Sequence, residues 1–179
     1  MVRKVSSSPP LNQSPLTNNK IVDTPYQLDP TYLDLREMAL SLTSEDMAEL
    51  GYQPVLAVIM ELSMAQGVAS IVSTADGSAS LYLSNGRLTL GLGEHEKVRH
   101  AGKEFQAVAF IALQHCQPSN SCPLPQPGYT SFHIITPEGK FTYTAPESAF
   151  TQKRDTLSPL YLFGQQLLTQ MRLTGSLDG

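Results

Sequence analysis

The densest group of ionisable side chains lies in residues 93–100, where Glu94, His95, Glu96 and His100 share one short segment. Carboxylates and imidazoles at close spacing can bind a metal ion or transfer protons. His95 and His100 are five positions apart, roughly 140° around a helix, so they do not form the i, i+4 pair that binds one zinc ion. Glu96 and His100 do have the spacing of an ion pair. We interpret the segment as a salt-bridged helix start, and these four residues are the only candidates for a catalytic or ligand-binding site.

Two glycines next to this segment, Gly91 and Gly93, resemble part of a phosphate-binding loop. Such a loop has a third glycine, which is missing here, and it needs a helix start that attracts anions. Glu94 and Glu96 would repel a phosphate from that position. We therefore predict no nucleotide, no other cofactor and no metal ion, and we assign the glycines to a tight turn from a strand into a helix.

The two cysteines, Cys116 and Cys122, are too few to complete a zinc site, and the chain has no Cys-x-x-Cys pair. A disulfide between them is sterically possible but needs an oxidising compartment. The first residues, Met-Val-Arg-Lys, lead into a Ser- and Pro-rich stretch, which is not the pattern of a secretory signal. The sequence therefore favours a cytoplasmic protein with two free thiols and leaves the disulfide open.

Charged residues make up only 16% of the 179 residues, and the formal net charge is −4. Basic side chains form no cluster larger than Lys153-Arg154, so the chain lacks the positive surface that binds nucleic acids. No stretch reaches the ~18 uninterrupted apolar residues of a membrane span. We predict neither a nucleic-acid nor a membrane partner. A surface so poor in charge is either rich in Ser, Thr, Gln and Asn or partly buried against a partner.

Two regions of the chain differ in composition. Residues 1–30 are rich in Ser, Pro, Asn, Gln and Thr without apolar periodicity, so they are predicted to form a disordered N-terminal tail. After Pro30, apolar side chains begin to recur at helical spacing. Residues 31–175 are predicted to form a single domain, which is long enough to bury a core.

Turn signals divide the middle of the chain into strands. Asp76-Gly77 and Asn85-Gly86 supply the positive-φ residues of hairpin turns, and Pro137-Glu138-Gly139 marks a later turn. The predicted strands are residues 55–62, 68–74, 78–84, 87–92, 129–136 and 140–144. Their alternation predicts a sheet with one apolar face and one face of Ser, Thr and Tyr. His133 falls on the polar face because it alternates with two apolar neighbours.

Helical periodicity covers the remaining segments. The predicted helices are residues 32–42, 44–50, 94–116 and a last one that begins at Ser158-Pro159 and ends at Gly175. Residues 107–113 are apolar on every side, which is typical of a helix that is buried all round or packs against another chain. The Pro-rich stretch from Pro118 to Pro127 is predicted to be an exposed loop.

These elements predict an α+β fold. It has an antiparallel sheet of about five to six strands in two hairpin units, with helices packed on its apolar face. The order of elements is loosely similar to that of profilin-like and roadblock-type sandwiches. This similarity concerns architecture and implies no function.

A longer similarity is carried by ADGSASLYLSNGRLTLGLGEHEKVR at residues 75–99 and by SPLYLFGQQLLTQMRL at residues 158–173. The two runs resemble a family of uncharacterised bacterial proteins with an ADG–SLY–S core, a glycine-rich step, GEH before a helix, and a closing helix that ends in a QLRL-like sequence. The resemblance extends over residues 33–174. Where that family has a glycine triplet, this chain has Gly86-Arg87-Leu88. The resemblance implies a bacterial cytoplasmic protein and supplies no activity, cofactor or catalytic residue.

The sequence therefore predicts a non-enzymatic module that binds a protein partner or a second copy of itself, with a homodimer as one outcome. The polar sheet face and the apolar helix at residues 107–113 are the candidate contact surfaces. The alternative is a small hydrolase or ligand-binding protein with its site around residues 91–100. A cleft that holds a carboxylate or histidine with a strongly shifted pKa would favour this alternative.

Overall fold

The computed structural model describes residues 25–174 of the chain. In this range four helices and seven strands follow one another as α1 Pro30–Leu40, β1 Ala57–Met64, β2 Gly67–Thr74, β3 Ala79–Leu83, β4 Leu88–Thr89, α2 Glu96–Ala112, β5 Gln117–Pro118, β6 Tyr129–Thr136, β7 Gly139–Pro146, α3 Glu147–Thr151 and α4 Ser158–Leu173. Short 3₁₀ turns occur at Ala48–Leu50, Leu92–Glu94 and Leu113–His115.

The seven strands form one sheet in the order β4-β3-β2-β1-β6-β7-β5. Every neighbouring pair is antiparallel, and β1 lies in the centre between β2 and β6. In this register Glu61 of β1 lies opposite Ser70 of β2 and Ser131 of β6. The predicted α+β class and antiparallel sheet are confirmed. The strand beyond the predicted number is the two-residue β5, which pairs with β7.

One face of the sheet packs against α2 and α4. Met60 of β1 and Phe132 of β6 share this first core with Phe105 of α2 and Leu167 of α4, and all four side chains are fully buried. At Gly164 of α4 an added Cβ would come within 2.6 Å of the Met60 sulfur. The small residue therefore allows α4 to lie close to the sheet.

The second face of the sheet is covered by α1, so the packing of helices on a single face is corrected. Tyr32 and Leu40 of α1 are buried in a second core together with Ile59, Val72 and Tyr82 of the sheet. The central strands have apolar side chains on both faces, and both faces therefore need cover. The alternation of Ser and Tyr in β3 suggests a solvated face, but the Tyr82 ring is buried there.

The Pro-rich segment between β5 and β6 also packs on this second face. Pro125 is buried, and Cys122 and Leu124 pack against the second core. The prediction of an exposed loop is therefore wrong for these residues, because the apolar side chains among the prolines complete the second core.

Packing begins before residue 31, the predicted start of the domain. The Tyr26 hydroxyl donates to the Pro125 carbonyl at 2.9 Å, and Leu28 packs against the second core. Asp29 caps α1 by accepting from the Thr31 amide at 2.8 Å. The earlier part of the predicted tail, residues 1–24, lies outside the described residues, and so does the predicted helix end at Gly175.

Local turn chemistry predicts most of the element boundaries. The hairpin of β6 and β7 has the predicted pairing, with Phe132 opposite Tyr143 and Ile134 opposite Phe141. Two local predictions differ, and one short helix was missed. The strand predicted at 87–92 ends at Thr89, since Gly91 is left-handed with φ 70 and turns the chain. The helix predicted at 44–50 is a turn followed by a short 3₁₀ segment, and α3 was not predicted.

Candidate functional site

A buried carboxylate lies at the centre of the sheet, on the second face. Glu61 has no solvent exposure, although it belongs to the middle strand β1. A buried carboxylate is costly unless donors satisfy it. Four donors surround it in two pairs. Oε1 accepts from Arg36 Nε at 2.7 Å and Ser70 Oγ at 2.9 Å, and Oε2 accepts from Arg36 Nη2 at 2.8 Å and His133 Nε2 at 3.1 Å.

Arg36 of α1 joins three parts of the fold. Its guanidinium binds Glu61 with two parallel hydrogen bonds, the strong geometry for an arginine–carboxylate pair. Nη2 also donates to the Cys122 carbonyl at 2.6 Å, so α1, β1 and the Pro-rich segment meet at one side chain. Tyr32, one turn earlier on α1, contacts Ser70 Oγ at 3.0 Å. Since Ser70 donates to Glu61, the tyrosine hydroxyl is the donor in this contact.

The hydrogen bonds around His133 place a proton on Nε2. This nitrogen faces a carboxylate oxygen of Glu61, which only accepts. Nδ1 lies 3.1 Å from Thr142 Oγ1, and that hydroxyl is also 3.2 Å from the Phe132 carbonyl oxygen. A hydroxyl that donates to the carbonyl can accept from Nδ1, so the fully buried ring has a partner at each nitrogen.

The charges of this cluster shift the pKa values of its members. Burial acts to raise the pKa of Glu61, but the hydrogen bonds and charges of Arg36 and His133 outweigh it and lower this pKa to about 2. Burial acts to lower the pKa of His133, but hydrogen bonds with Cys122 and Glu61 outweigh it and raise this pKa above its ordinary value. The cluster is a set of buried ions held by one another.

Sequence reasoning placed His133 on the second face and missed Glu61 and Arg36. A signal was present, because Glu61 interrupts the apolar run of a strand that is covered on both faces. A carboxylate at such a position requires a cationic partner. The identity of that partner depends on tertiary folding, since Arg36 lies 25 positions away and His133 lies 72 positions away.

The predicted candidate site residues in 91–100 lie on the exposed surface around the start of α2. Glu94, His95, Glu96 and His100 are all exposed. His100 pairs with Glu104 at 3.6 Å rather than with Glu96, and its side chain is largely exposed. Within residues 25–174, His, Cys, Asp and Glu side chains nowhere form a group of three that could hold a metal ion. Among residues 25–174, the carboxylate with the strongly lowered pKa is Glu61, which is buried in the centre of the sheet and not in this segment.

The two glycines before α2 have different roles in the turn. Gly91 has a left-handed backbone with φ 70, and no atom outside its neighbours lies within 4 Å of where its Cβ would be. Gly93 lies so close to the Gly77 carbonyl that an added Cβ would collide with it. The pair brings the chain tightly from β4 into α2.

A cavity of about 1280 Å³ lies at one end of the sheet and is lined by Tyr26, Asp29, Ser63, Glu147 and neighbouring residues. Both carboxylates in its lining are already used within the protein. Glu147 accepts from the Tyr161 hydroxyl at 2.9 Å, and Asp29 caps α1. The lining therefore offers no carboxylate that is free for proton transfer.

The second half of α2 exposes large apolar side chains. Phe110 is 54% exposed and Ile111 is 64% exposed, and Ala107 is exposed one turn before them. Ala109 faces the first core instead. The helix is therefore not buried all round, which was one of its two predicted environments. We call Ala107, Phe110 and Ile111 the α2 patch.

Comparison of the chain with known protein families, with characterised proteins and with solved structures found no match. None of the helices in residues 25–174 has the length and apolar character needed to traverse a bilayer. The resemblance to an uncharacterised bacterial family stays a prediction.

Proposed function

We propose that this chain is a non-enzymatic interaction module that self-associates through the α2 patch. The observation that carries the proposal is the exposure of two adjacent large apolar side chains, Phe110 at 54% and Ile111 at 64%, on the surface of a long helix. Adjacent exposed apolar side chains usually mark a contact surface, and aromatic residues are frequent anchors of such contacts.

The other predicted contact surface is less suitable. The second sheet face is covered by α1, which buries Tyr32 and Leu40 against it. The segment at residues 91–100 offers exposed charges, and its His100 pairs with Glu104 on the solvated helix surface, so the alternative of a hydrolase or ligand-binding site there has little geometric support.

A second copy of the chain is the partner that fits this surface. Lys103 and Glu104 precede the patch by one turn and place both charge signs at its edge. In an isologous contact each copy presents the same patch, so such charges can pair reciprocally across the two-fold axis. The low charge content of 16% is compatible both with a contact, whose centre is depleted in charged residues, and with a surface rich in Ser, Thr, Gln and Asn.

The proposed location is the cytoplasm of a bacterium, as the sequence resemblance implies. The two thiols support it, because Cys116 belongs to the first core and Cys122 packs on the second, on opposite faces of the sheet. Both are free, a state that a reducing compartment maintains.

Substitution of Phe110 by Lys tests the contact, with molar mass measured by light scattering after size exclusion. We expect a dimer for the wild type and a monomer for Phe110→Lys. Met38→Lys is the matched control, since Met38 is 66% exposed on α1 and lies outside the patch. The proposal fails if Phe110→Lys and Met38→Lys have the same mass as the wild type. Circular dichroism checks that each variant is folded.

A further inference from the structure

The two faces of the sheet are covered to different extents. On the first face, α2 and α4 pack against each other and against the sheet. On the second face, α1 lies over the central strands, and the Pro-rich segment packs beside it. Among residues 25–174, no second helix lies next to α1 on the side of β3 and β4.

A groove with a volume of about 170 Å³ lies on this open side, between α1 and β3. Met38 and Leu42 form its α1 wall, and Val72 and Tyr82 belong to its floor. Leu88 of the edge strand β4 lies opposite Tyr82, so its side chain continues the same face beyond the groove. Met38 is 66% exposed and Leu88 is 41% exposed. An apolar surface therefore extends from α1 to the edge strand.

Three exposed aspartates border this surface. Asp34 lies one helical turn before Met38 on α1, Asp46 lies in the turn that follows α1, and Asp76 lies in the turn between β2 and β3. The hydrogen bonds that Asp46 and Asp76 accept come from neutral hydroxyls and backbone amides. The ion pairs found within residues 25–174 include none of the three aspartates. Their negative charges are therefore not paired within the protein.

The arginines on the neighbouring elements do not pair with these aspartates. Arg36 of α1 is bound to Glu61. Arg87 alternates with Leu88 and therefore points to the first face, and Arg99, which lies against the β2–β3 turn, belongs to α2 on that face. The groove thus combines apolar walls with a negative rim. Such a surface repels nucleic acids and anionic lipids and attracts a cationic partner.

We propose that this groove binds an amphipathic helix of a partner protein, with an apolar stripe on one side and lysine or arginine residues beside the stripe. The position next to α1 corresponds to the arrangement of α2 and α4, which shows that the sheet accommodates two adjacent helices on one face. The apolar stripe of the partner packs between Met38 and Leu88, and its cations face Asp34 and Asp76. The proposal is independent of self-association, because the α2 patch lies on a helix of the first face.

The first test measures binding of a synthetic helix to the full chain by fluorescence anisotropy. The probe is a labelled peptide of ~15 residues with leucines on one helical face and lysines on the other. We expect it to bind the wild type with an affinity that falls as the salt concentration rises. A peptide in which glutamate replaces every lysine should not bind. Absence of binding by the lysine peptide, or equal affinity of both peptides, would overturn the proposal.

The second test locates the bound peptide with three variants. Met38→Lys and Leu88→Lys place a cation on either side of the groove, and we expect each to weaken binding of the lysine peptide at least ~10-fold. Leu162→Lys is the matched control, since Leu162 is 46% exposed on α4, on the first face, and this variant should bind as the wild type does. All three side chains are exposed, and circular dichroism checks that each variant is folded. The same affinity in all three variants means that the groove is not the binding site.

The mass of Met38→Lys distinguishes a partner helix from a second copy of the chain. Sedimentation equilibrium should give this variant the same mass as the wild type at each concentration. A lower mass for Met38→Lys would assign the groove to a contact between two copies and overturn the proposal.

Discussion

Arg36 and Glu61 form a two-point ion pair between α1 and the central strand, with Nε–Oε1 and Nη2–Oε2 distances of 2.7 and 2.8 Å. The carboxylate is fully buried, and the guanidinium side chain is 12% exposed. The pair fixes the position of α1 on the second face, where Tyr32 adds a further polar contact through Ser70.

Removal of the buried charge is expected to destabilise the fold strongly. In Glu61→Gln the positive side chains of Arg36 and His133 lose their counterion, and breaking a buried pair in this way costs about 3–5 kcal/mol. Urea unfolding followed by circular dichroism measures the change. Glu96→Gln is the control, because this exposed glutamate at the start of α2 should change the free energy of unfolding far less. A similar cost for both variants would contradict the role of the cluster.

Stability is expected to fall in acid because of Glu61. Its pKa is about 2 in the folded protein and 4.5 ordinarily. A depressed pKa stabilises the folded state above the ordinary value, and this stabilisation is lost as the pH falls through the folded value. The free energy of unfolding from urea titrations should therefore decrease from about pH 4.5 to pH 2, and Glu61→Gln should show a smaller decrease.

The opposite slope is expected above neutrality because of His133. Its pKa is raised above the ordinary 6.5, so its stabilisation is complete below pH 6.5 and is lost as the pH rises through the folded value. The groups that face the ring are Glu61, Thr142 and the Cys122 thiol. Urea titrations of the wild type should show the free energy of unfolding decrease as the pH rises above neutrality. If His133→Gln shows the same decrease, a group other than His133 causes it.

Thr130 offers a stabilising substitution. Within residues 25–174, Thr130 Oγ1 and Ser158 Oγ are buried without a hydrogen-bond partner. Replacing the hydroxyl of Thr130 by the methyl group of valine removes an unsatisfied polar atom at similar shape, which should raise the free energy of unfolding by about 1 kcal/mol. Thr142→Val is the matched control, since this hydroxyl bonds both Phe132 and His133 and its loss should destabilise. Urea unfolding measures the free energy of unfolding, which should rise in Thr130→Val and fall in Thr142→Val. A loss of stability in Thr130→Val contradicts the expectation.

Substitution of the two glycines in the turn before α2 should reduce the stability of the fold by different amounts. Gly93→Ala places a Cβ against the Gly77 backbone, so part of the chain must shift. Gly91→Ala meets no atom and has only the strain of its positive φ, about 1 kcal/mol. Thermal unfolding should therefore show the larger loss for Gly93→Ala. Equal losses would indicate that backbone conformation alone determines the turn.

Much of the sheet could be predicted from the sequence because its signals are local. Asp76-Gly77 and Asn85-Gly86 require positive φ, and both glycines have it in the structure, at 86 and 85. The β6–β7 hairpin follows in the same way from its Pro-Glu-Gly turn. Such signals involve neighbouring residues only, so no knowledge of the tertiary structure is needed.

The buried cluster could not be predicted in full because its members come from distant segments. Arg36 is on α1, Glu61 on β1 and His133 on β6, and only the pairing of β1 with β6 brings the last two together. A single sequence does not show which strands become neighbours across a long connection. The segment at residues 91–100 drew attention instead, because its charges are adjacent along the chain.

Sedimentation equilibrium of the wild-type protein over a wide concentration range tests self-association most directly. If the α2 patch forms a dimer contact, the average mass rises from that of the 19.5 kDa chain towards twice that value as the protein concentration increases. Phe110→Lys should keep the monomer mass throughout, while Met38→Lys should follow the wild type. A wild-type protein that is folded and has the monomer mass at every concentration contradicts the proposed function.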